Sequence, residues 1–369
     1  MMFNFEHHND LWFYFFDRQI ESPNDYRAFK CIFTMPMIEG VVNILMNKKE
    51  FKAKEHFVRK QFNYIKEKMK EEFQNSWLND TLKELVIQEI ENVNLEIRVT
   101  NKIKHQLTLE KKVFSYDFTI TSNAMQNYIN FKKAQADRMV KLYLENMNLI
   151  TSNHGRKKRK VTVDAEYIVP ENKIMIEPTN LYTPFVYIKA PLAFNFGKIG
   201  HLIAHELSHA VCFTKVLPQD SVYFESPSIA LNFDKNTKCL FNQYNKQNVD
   251  GLITLKENYA DNLGIKVAYN AMRYIINNNL MSEKLNTLPD FQVYTSKQLF
   301  FLSYANMHCR TSNNNYVHSP EAARVNVPLM NMKEFAEAFY CPEGSPMNPI
   351  EKCDFWKNEY TNNQNYISS

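Results

Sequence analysis

The sequence predicts a mainly α-helical protein with a small β ribbon, which is an α+β arrangement. Long stretches carry apolar residues at steps of three and four, as amphipathic helices do, and one short stretch between residues 161 and 176 alternates apolar and polar residues. The chain has 369 residues, of which 44% are hydrophobic. It can therefore bury the core of one large domain or of two ordinary ones.

The first part of the chain is predicted to be helical over residues 22–99. Residues 48–73 are highly charged, and their apolar residues recur at helical spacing: Phe51, Phe57, Val58, Phe62, Ile65 and Met69. Asn79 and Asp80 offer an amino-terminal cap to a second helix. A further helix is predicted over residues 123–148. None of these stretches carries a set of residues with catalytic chemistry.

The alternating stretch predicts a β-hairpin with a turn at residues 170–172. Alternate residues of its two strands are apolar: Val161, Val163, Ala165 and Tyr167, then Ile174 and Ile176. Two interpretations are open. The hairpin is a plain two-stranded ribbon, or its first strand is an edge to which an extended peptide adds through backbone hydrogen bonds around Ala165.

One stretch carries the clearest chemical signal, because His205, Glu206 and His209 form the pattern His-Glu-x-x-His. Histidines four residues apart share one face of a helix, so both imidazoles can reach one Zn²⁺ while the glutamate faces its water. Buried helix histidines without a metal are the alternative. The flanking residues favour the metal, because polar side chains on an apolar helix need a bonding partner. The apolar flanking residues are Ile199, Leu202, Ile203, Leu207, Val211 and Phe213.

A second motif supplies the third ligand that a catalytic zinc site needs. Glu257 and Asp261 are four residues apart in a predicted helix over residues 254–274, so they lie on one face. Glu257 can bind zinc, while Asp261 can accept a hydrogen bond from a ligand imidazole and fix its tautomer. Alone, such a pair is typical of solvated helix charges; beside the first motif it indicates a metal site.

Glycine is scarce in this chain and is concentrated near the two motifs. Four of the seven glycines lie there: Gly197, Gly200, Gly251 and Gly264. Glycine permits close approach of two backbones because it has no Cβ. We therefore expect tight packing around the site.

The two motifs together resemble those of the neprilysin and endothelin-converting-enzyme family of zinc metallopeptidases, whose zinc helices read His-Glu-x-x-His and Glu-Asn-x-Ala-Asp. Four more stretches are similar to that family: residues 163–167, residues 195–200, residues 318–320 with Arg324, and residues 348–356. The resemblance is close from about residue 161 to residue 356. It implies a zincin-type catalytic lobe at residues 121–369 and a partial helical lobe at residues 1–120 that covers the active site, in a chain shortened at its amino end.

The resemblance also implies a function, which is zinc-dependent hydrolysis of peptide bonds in short peptides, with one Zn²⁺ per chain. Glu206 is the expected general base, and His318 the expected donor to the oxyanion that forms. Arg324 is expected to hold a substrate carbonyl, since its forked donors suit oxygen acceptors. Asp164 and Ala165 are the expected substrate-binding residues of the edge strand.

Three departures from the family pattern support a second hypothesis. Asp164 replaces an asparagine, Cys212 stands where an acidic residue follows the second zinc histidine, and Asp354 replaces an arginine. The zinc ligands are unaffected, but loss of a residue that hydrogen-bonds to a ligand typically lowers metal affinity or activity about 10- to 100-fold. The alternative is therefore a catalytically weakened pseudo-peptidase that binds zinc and peptides. The survival of all the expected chemical residues favours the active peptidase.

The six cysteines are compatible with free thiols, as in a cytosolic chain. The resemblance instead implies a disulfide between Cys239 and Cys353, and partners for Cys31, Cys309 and Cys341 in an amino-terminal half. It also implies an extracellular or plasma-membrane location. The chain itself shows no signal peptide, and the apolar run at residues 11–16 is too short to cross a bilayer.

The charge of the chain gives no case for nucleic acid. Its net charge is +4, with both signs interspersed, and the basic residues 156–160 are most simply a solvated loop. Peptide substrates are the only partners that the sequence predicts, and it does not determine the oligomeric state.

Overall fold

The structure is a computed structural model. It describes residues 48–97, 121–145, 165–212, 226–278, 280, 293–309 and 317–357. Several sequence predictions therefore lie outside the described residues, namely those on residues 11–16, Cys31, residues 156–160, Asp164 and Phe213.

Helices dominate the described part of the chain, as the sequence predicts. In chain order they are α1 (Lys49–Gln74), α2 (Asp80–Asn92), α3 (Ala124–Glu145), α4 (Leu192–Asn195), α5 (His201–Ala210), α6 (Pro227–Asn245), α7 (Leu255–Asn277), α8 (Ser296–Met307), α9 (Glu321–Met330) and α10 (Lys333–Ala338). Short 3₁₀ turns lie at Val169–Glu171 and Pro178–Leu181, and a π-helical turn at Phe196–Gly200 joins α4 to α5.

The chain divides into two compact units. One comprises residues 1–52 and 98–163, and its described helix is α3, close to the predicted range of 123–148. The other comprises residues 53–97 and 164–369 and contains both zinc-motif helices. The predicted lobe boundary after residue 120 stays a prediction.

The first two helices confirm the periodicity seen in the sequence. Helix α1 buries most of the apolar residues that recur at helical spacing, including Val58, Phe62, Ile65 and Met69, while Phe57 is half-buried. Helix α2 is capped by Asn79, whose side-chain oxygen accepts from the backbone N–H of Leu82 at 2.9 Å. A cap of this kind satisfies one of the first N–H groups of a helix, which have no carbonyl partner of their own.

The predicted hairpin is present, but the sheet contains a third strand among the described residues. The strands are β1 (Asn94–Ile97), β2 (Ala165–Ile168) and β3 (Lys173–Ile176), in the spatial order β1, β3, β2. Strand β2 pairs with β3 antiparallel, and β1 pairs with β3 in parallel. The prediction of helix up to residue 99 was wrong at β1. A four-residue strand is too short to show a period, and its partner lies far along the chain.

Close packing of α5 against α7 positions the two motifs. The side of α7 that is completely buried includes small residues at helical spacing, Ala260, Gly264 and Ala268. A Cβ on Gly264 would lie only 2.9 Å from the backbone nitrogen of His205 and 3.1 Å from its Cα. Glycine is therefore required where the two zinc-motif helices meet, as the glycine distribution predicts.

The carboxyl-terminal segment is fastened to the same unit. The disulfide between Cys239 and Cys353 joins it to α6. Trp356 is buried, and its indole nitrogen donates to the Tyr259 hydroxyl of α7 at 2.7 Å. Asp354, where the family usually has arginine, accepts from Lys266 at 2.6 Å. This contact gives the departure at residue 354 a structural role in the present chain.

No described helix combines the length and the apolar content needed to cross a membrane.

Candidate active site

The candidate site is built on α5 and α7. Helix α5 presents His205 and His209 one turn apart, and α7 presents Glu257 opposite them. The Nε2 atoms of the two histidines lie 3.2 Å apart. Oε2 of Glu257 lies 3.2 Å from Nε2 of His205 and 3.4 Å from Nε2 of His209. Three ligand atoms from two separate motifs therefore converge on one point.

This donor set fits zinc. Two imidazole nitrogens and one carboxylate oxygen form a known three-ligand set for a catalytic Zn²⁺. Zinc–ligand distances of about 2.0 to 2.2 Å in a tetrahedron imply ligand separations of about 3.3 to 3.6 Å. The separations of 3.2 to 3.4 Å seen here match closely. The fit involves His205, His209 and Glu257 alone.

Asp261 holds the first histidine from behind. Its Oδ1 lies 2.8 Å from Nδ1 of His205. Arg324 of α9 donates from Nε to Oδ2 and from Nη2 to Oδ1, both at 2.8 Å. Burial alone would raise the pKa of Asp261, but Arg324 and His205 hold this pKa well below its usual value. The carboxylate therefore stays ionised, which keeps the Nδ1 proton on His205 and leaves Nε2 to bind a metal.

The electrostatics of His205 and Glu257 reflect the same convergence. Burial favours neutral His205, but hydrogen bonds to Asp261 and Glu257 raise its pKa to about 10. Burial would raise the pKa of Glu257, but contacts with His205, His209 and His318 lower it. Three imidazole rings thus surround one ionised carboxylate. A bound cation would be attracted by the same ionised group.

Glu206 is oriented by the β-sheet. Its Oε2 accepts a hydrogen bond from the backbone N–H of Tyr167 in β2, at 2.8 Å. The glutamate is buried, with 7% of its surface exposed. One carboxylate oxygen is thus fixed to the sheet, which restricts the orientation of the predicted general base. The sequence could not reveal this contact, because a backbone donor leaves no signature in residue type.

His318 reaches the same site from the segment before α9. Its Nε2 lies 3.0 Å from Oε2 of Glu257, and its side chain is partly exposed. The structure thus brings His318 next to the candidate ligands, although more than fifty residues separate it from Glu257 in sequence. Its role as an oxyanion donor stays a prediction.

The predicted substrate residues are placed differently. Ala165 begins β2, at one edge of the described sheet. Arg324 lies behind the site on Asp261, with its side chain 13% exposed. Asp164 lies outside the described residues. The roles of all three in substrate binding stay predictions.

A second buried group of titratable residues lies one turn before the zinc motif. His201, His205 and Asp261 also place one ligand atom each within 4.8 Å of the others. Both oxygens of Asp261 already accept hydrogen bonds from Arg324, so a second cation there would lie beside a guanidinium. This group is therefore a poor metal site. His201 is nevertheless completely buried, with no hydrogen-bond partner for either ring nitrogen among the described residues.

The paired helices thus bring three candidate metal ligands and an oriented glutamate together, as the pattern of a zinc metallopeptidase predicts. The family model described as Peptidase family M13 matches residues 164–355, slightly more than half of the chain. The chain belongs to this family, which confirms the resemblance seen in the sequence.

Curated relatives agree. Neprilysin-21 of Caenorhabditis elegans is 37% identical over 53% of this chain and 27% of its own length. Endothelin-converting enzyme 1 of Bos taurus shows the same identity and the same two coverages. Neprilysin-3 of Drosophila melanogaster is 32% identical over 79% of this chain and 38% of its own length. The chain thus spans well under half the length of these relatives.

Solved structures share the fold. Mycobacterium tuberculosis zinc metalloprotease Zmp1, in complex with an inhibitor, matches 90% of this chain and 51% of its own with a TM-score of 0.62 at 18% identity. A Haemonchus galactose-containing glycoprotein complex matches 85% of this chain and 51% of its own, with a TM-score of 0.64 at 22% identity. At these identities the likeness concerns the fold alone.

Proposed function

We propose that this chain is a zinc-dependent metalloendopeptidase that hydrolyses peptide bonds of short peptides. One observation carries the proposal. His205, His209 and Glu257 converge within 3.4 Å of one another, while Glu206 is held beside them by the backbone of β2. Membership of peptidase family M13 supports the same conclusion.

His205, His209 and Glu257 would hold one Zn²⁺ per chain. When bound, such an ion polarises a carbonyl group and lowers the pKa of its water toward neutrality. Glu206 would take the proton of the attacking water as general base and later deliver it to the leaving amine. Its bond to Tyr167 uses one lone pair of Oε2, so the carboxylate retains acceptor capacity for this proton.

His318 would donate from Nε2 to the oxygen that becomes negatively charged when the carbonyl is attacked. Its nearness to Glu257 supports this role, because the reacting carbonyl must also lie beside the metal ligands. Asp261 would keep His205 in the tautomer that leaves Nε2 free of a proton. Arg324 fixes Asp261 through its hydrogen bonds. It would also contact a substrate carbonyl.

Strand β2 would bind an extended substrate by backbone pairing. The Tyr167 N–H points away from β3, since it donates to Glu206. Backbone groups two residues apart in a strand point the same way, so those of Ala165 also face away from β3. This orientation supports the β-augmentation predicted from the sequence, with Asp164 next to it.

The test is zinc content together with cleavage of a quenched fluorescent peptide, before and after Glu206→Gln. We expect about one zinc per chain in both proteins. We expect cleavage to fall by at least about a hundredfold in the variant, because the general base is lost while the ligands remain. Lys238→Gln on the exposed face of α6 is the control for handling and refolding.

Two outcomes would change the proposal. If both proteins bind zinc and neither cleaves, the chain is the zinc- and peptide-binding pseudo-peptidase of the alternative hypothesis. Cys212, which is buried beside the end of α5, would then be the first residue to replace by aspartate. If neither protein binds zinc, both hypotheses fail.

The proposed location is extracellular, at the cell surface or beyond it. The disulfide between Cys239 and Cys353 supports this, because such bonds persist in oxidising compartments. Thiol labelling of the protein in intact cells, with and without prior reduction, would test it. Free Cys239 and Cys353 thiols in the native protein would contradict it.

A further inference from the structure

A buried pair of polar side chains joins the two halves of the candidate site. Ser319 directly follows His318, and its hydroxyl donates to Oδ1 of Asn258 at 2.5 Å. Asn258 directly follows Glu257 and is completely buried. The contact therefore links the residue after the predicted oxyanion donor to the residue after a predicted zinc ligand, across 61 positions of sequence.

The acceptor of this contact is itself fixed. The Asn258 amide nitrogen donates to Oγ1 of Thr254 at 2.8 Å, and that hydroxyl donates to the backbone oxygen of Asp250. Ser319 and Thr254 are each only 4% exposed. Both ends of the Asn258 side chain are thus bonded in a site that excludes water. Buried hydrogen bonds of this kind are costly to leave unmade.

The segment on the other side is short. Only Pro320 separates Ser319 from α9, and its carbonyl accepts from the backbone N–H groups of Ala323 and Arg324. His318 therefore projects from a backbone fixed by α9 on one side and by the Ser319 hydroxyl at its neighbour. The ring itself lies with its Nε2 3.0 Å from Oε2 of Glu257.

We propose that Ser319 and Asn258 are positioning residues for His318. Their hydrogen bond holds the backbone at residue 318 against the start of α7, so that Nε2 of His318 lies where the oxyanion forms. This inference rests on the proposed function of His318. It adds two residues that touch neither the metal ligand atoms nor the reacting groups.

The central test is Ser319→Ala, which removes the hydroxyl donor and leaves Oδ1 of Asn258 unpaired. We expect kcat to fall about tenfold to a hundredfold with KM changed by less than about threefold, since a donor used only in the transition state is displaced. Zinc content should be unchanged. Ser319→Thr keeps a hydroxyl and should restore most of kcat.

A control separates positioning from general loss of structure. Ser303 of α8 is equally buried, at 3% exposure, and its hydroxyl donates only to the Leu299 carbonyl of its own helix. Ser303→Ala should change unfolding temperature by a similar amount and leave kcat within about twofold. If Ser319→Ala fails to fold, Ser319→Cys takes its place, because it keeps a side-chain donor that is weaker and only slightly larger.

A double-mutant cycle tests whether Ser319 acts through His318. In a His318→Ala background, Ser319→Ala should lower kcat by less than about twofold, because the group it positions is gone. The same tenfold or larger loss in that background would overturn the proposal. It would show that Ser319 supports the site as a whole.

If the zinc-loaded chain does not cleave peptides, the proposed peptidase function fails, and two other measurements still test the positioning role of Ser319. Ser319→Ala should weaken binding of a phosphonate peptide, whose oxygens mimic the tetrahedral state, at least tenfold more than binding of a thiol peptide. In the zinc-free protein, the ring NMR signals of His318, assigned with His318→Ala, should shift on Ser319→Ala. Unchanged ring signals would overturn the proposal.

Discussion

Two successive turns of α5, the helix with the His-Glu-x-x-His motif, differ in how their buried polar side chains are paired. In the turn with His205 and His209, every ring faces a named partner from α7. In the preceding turn, His201 is as buried as His205, yet neither of its nitrogens has a hydrogen-bond partner among the described residues, whereas Nδ1 of His205 lies 2.8 Å from a carboxylate oxygen of Asp261. Its nearest ring is that of Tyr304, in an edge contact with centroids 4.6 Å apart.

The two turns also differ in how the buried charged residue beside each of them is paired. Asp261 is completely buried and is paired with both Arg324 and His205. Lys198 of the π-helical turn is 3% exposed, and its ammonium group donates to the neutral Oδ1 of Asn306. Burial accordingly lowers the pKa of Lys198 to about 8. Buried polar groups therefore have charged partners at the candidate site, and fewer such partners one turn earlier.

The largest expected effect comes from removing the charge of Asp261, which pairs with both His205 and Arg324. Asp261→Asn leaves the buried guanidinium of Arg324 without its counter-ion, and we expect a loss of about 3 to 5 kcal/mol in the free energy of unfolding. Zinc affinity should fall about 10- to 100-fold, because the tautomer of His205 is no longer fixed. Urea unfolding and chelator competition measure the two effects.

The control for Asp261 is Asp234, which forms an exposed pair with Lys238 at 2.6 Å within α6. Asp234→Asn should change the free energy of unfolding by less than about 0.5 kcal/mol, as exposed pairs contribute little. Equal losses in the two variants would remove the distinction between a compensated site and ordinary surface charge.

Two glycines that pack at these turns, Gly264 of α7 and Gly200 before α5, should also differ in their tolerance of a side chain. Gly264→Ala places a Cβ 2.9 Å from the His205 backbone nitrogen, so α5 and α7 must separate, and we expect a loss of about 1 to 3 kcal/mol. Gly200→Ala meets side-chain atoms of Phe196 and Gln61, whereas the Cβ at residue 264 meets backbone. The loss for Gly200→Ala should be the smaller in thermal unfolding. The reverse order would show that the helix contact is adaptable.

Lys198 offers a test by pH. Its folded pKa of about 8 lies below the ordinary value of 10.5. The unfolded chain therefore binds the extra proton between these values, and this residue makes stability rise from about pH 8 to pH 10.5. Lys198→Met should be more stable than the native chain at pH 7, and the difference in the free energy of unfolding should close toward pH 10.5. A gap that is independent of pH would contradict the proposed cause.

The smallest expected effect concerns His201. His201→Met replaces two unpaired ring nitrogens by a flexible apolar side chain, and we expect the free energy of unfolding to rise by about 1 kcal/mol. Denaturation in urea measures it, with zinc content as the check that the neighbouring ligand is undisturbed. A clear loss of stability would mean that the ring nitrogens have partners in solution, and the contrast between the turns would disappear.

The sequence by itself indicated the helices that carry the two motifs and the faces on which the candidate ligands lie. Helical spacing places His205 with His209, and Glu257 with Asp261, on common faces because 3.6 residues complete a turn. The cap at Asn79 and the hairpin of β2 and β3 are also local in origin. Each depends on neighbours within a few residues, so the pattern of residue types is sufficient.

Only the tertiary structure decided how these pieces meet. The Tyr167 amide on Glu206, the guanidinium of Arg324 on Asp261 and the hydroxyl of Ser319 on Asn258 each join residues 39 to 63 positions apart. Strand β1 was missed for the same reason, since its partner β3 lies far along the chain. Such contacts depend on which surfaces pack together, and hydrogen bonds to backbone groups or between distant side chains leave no period in the sequence.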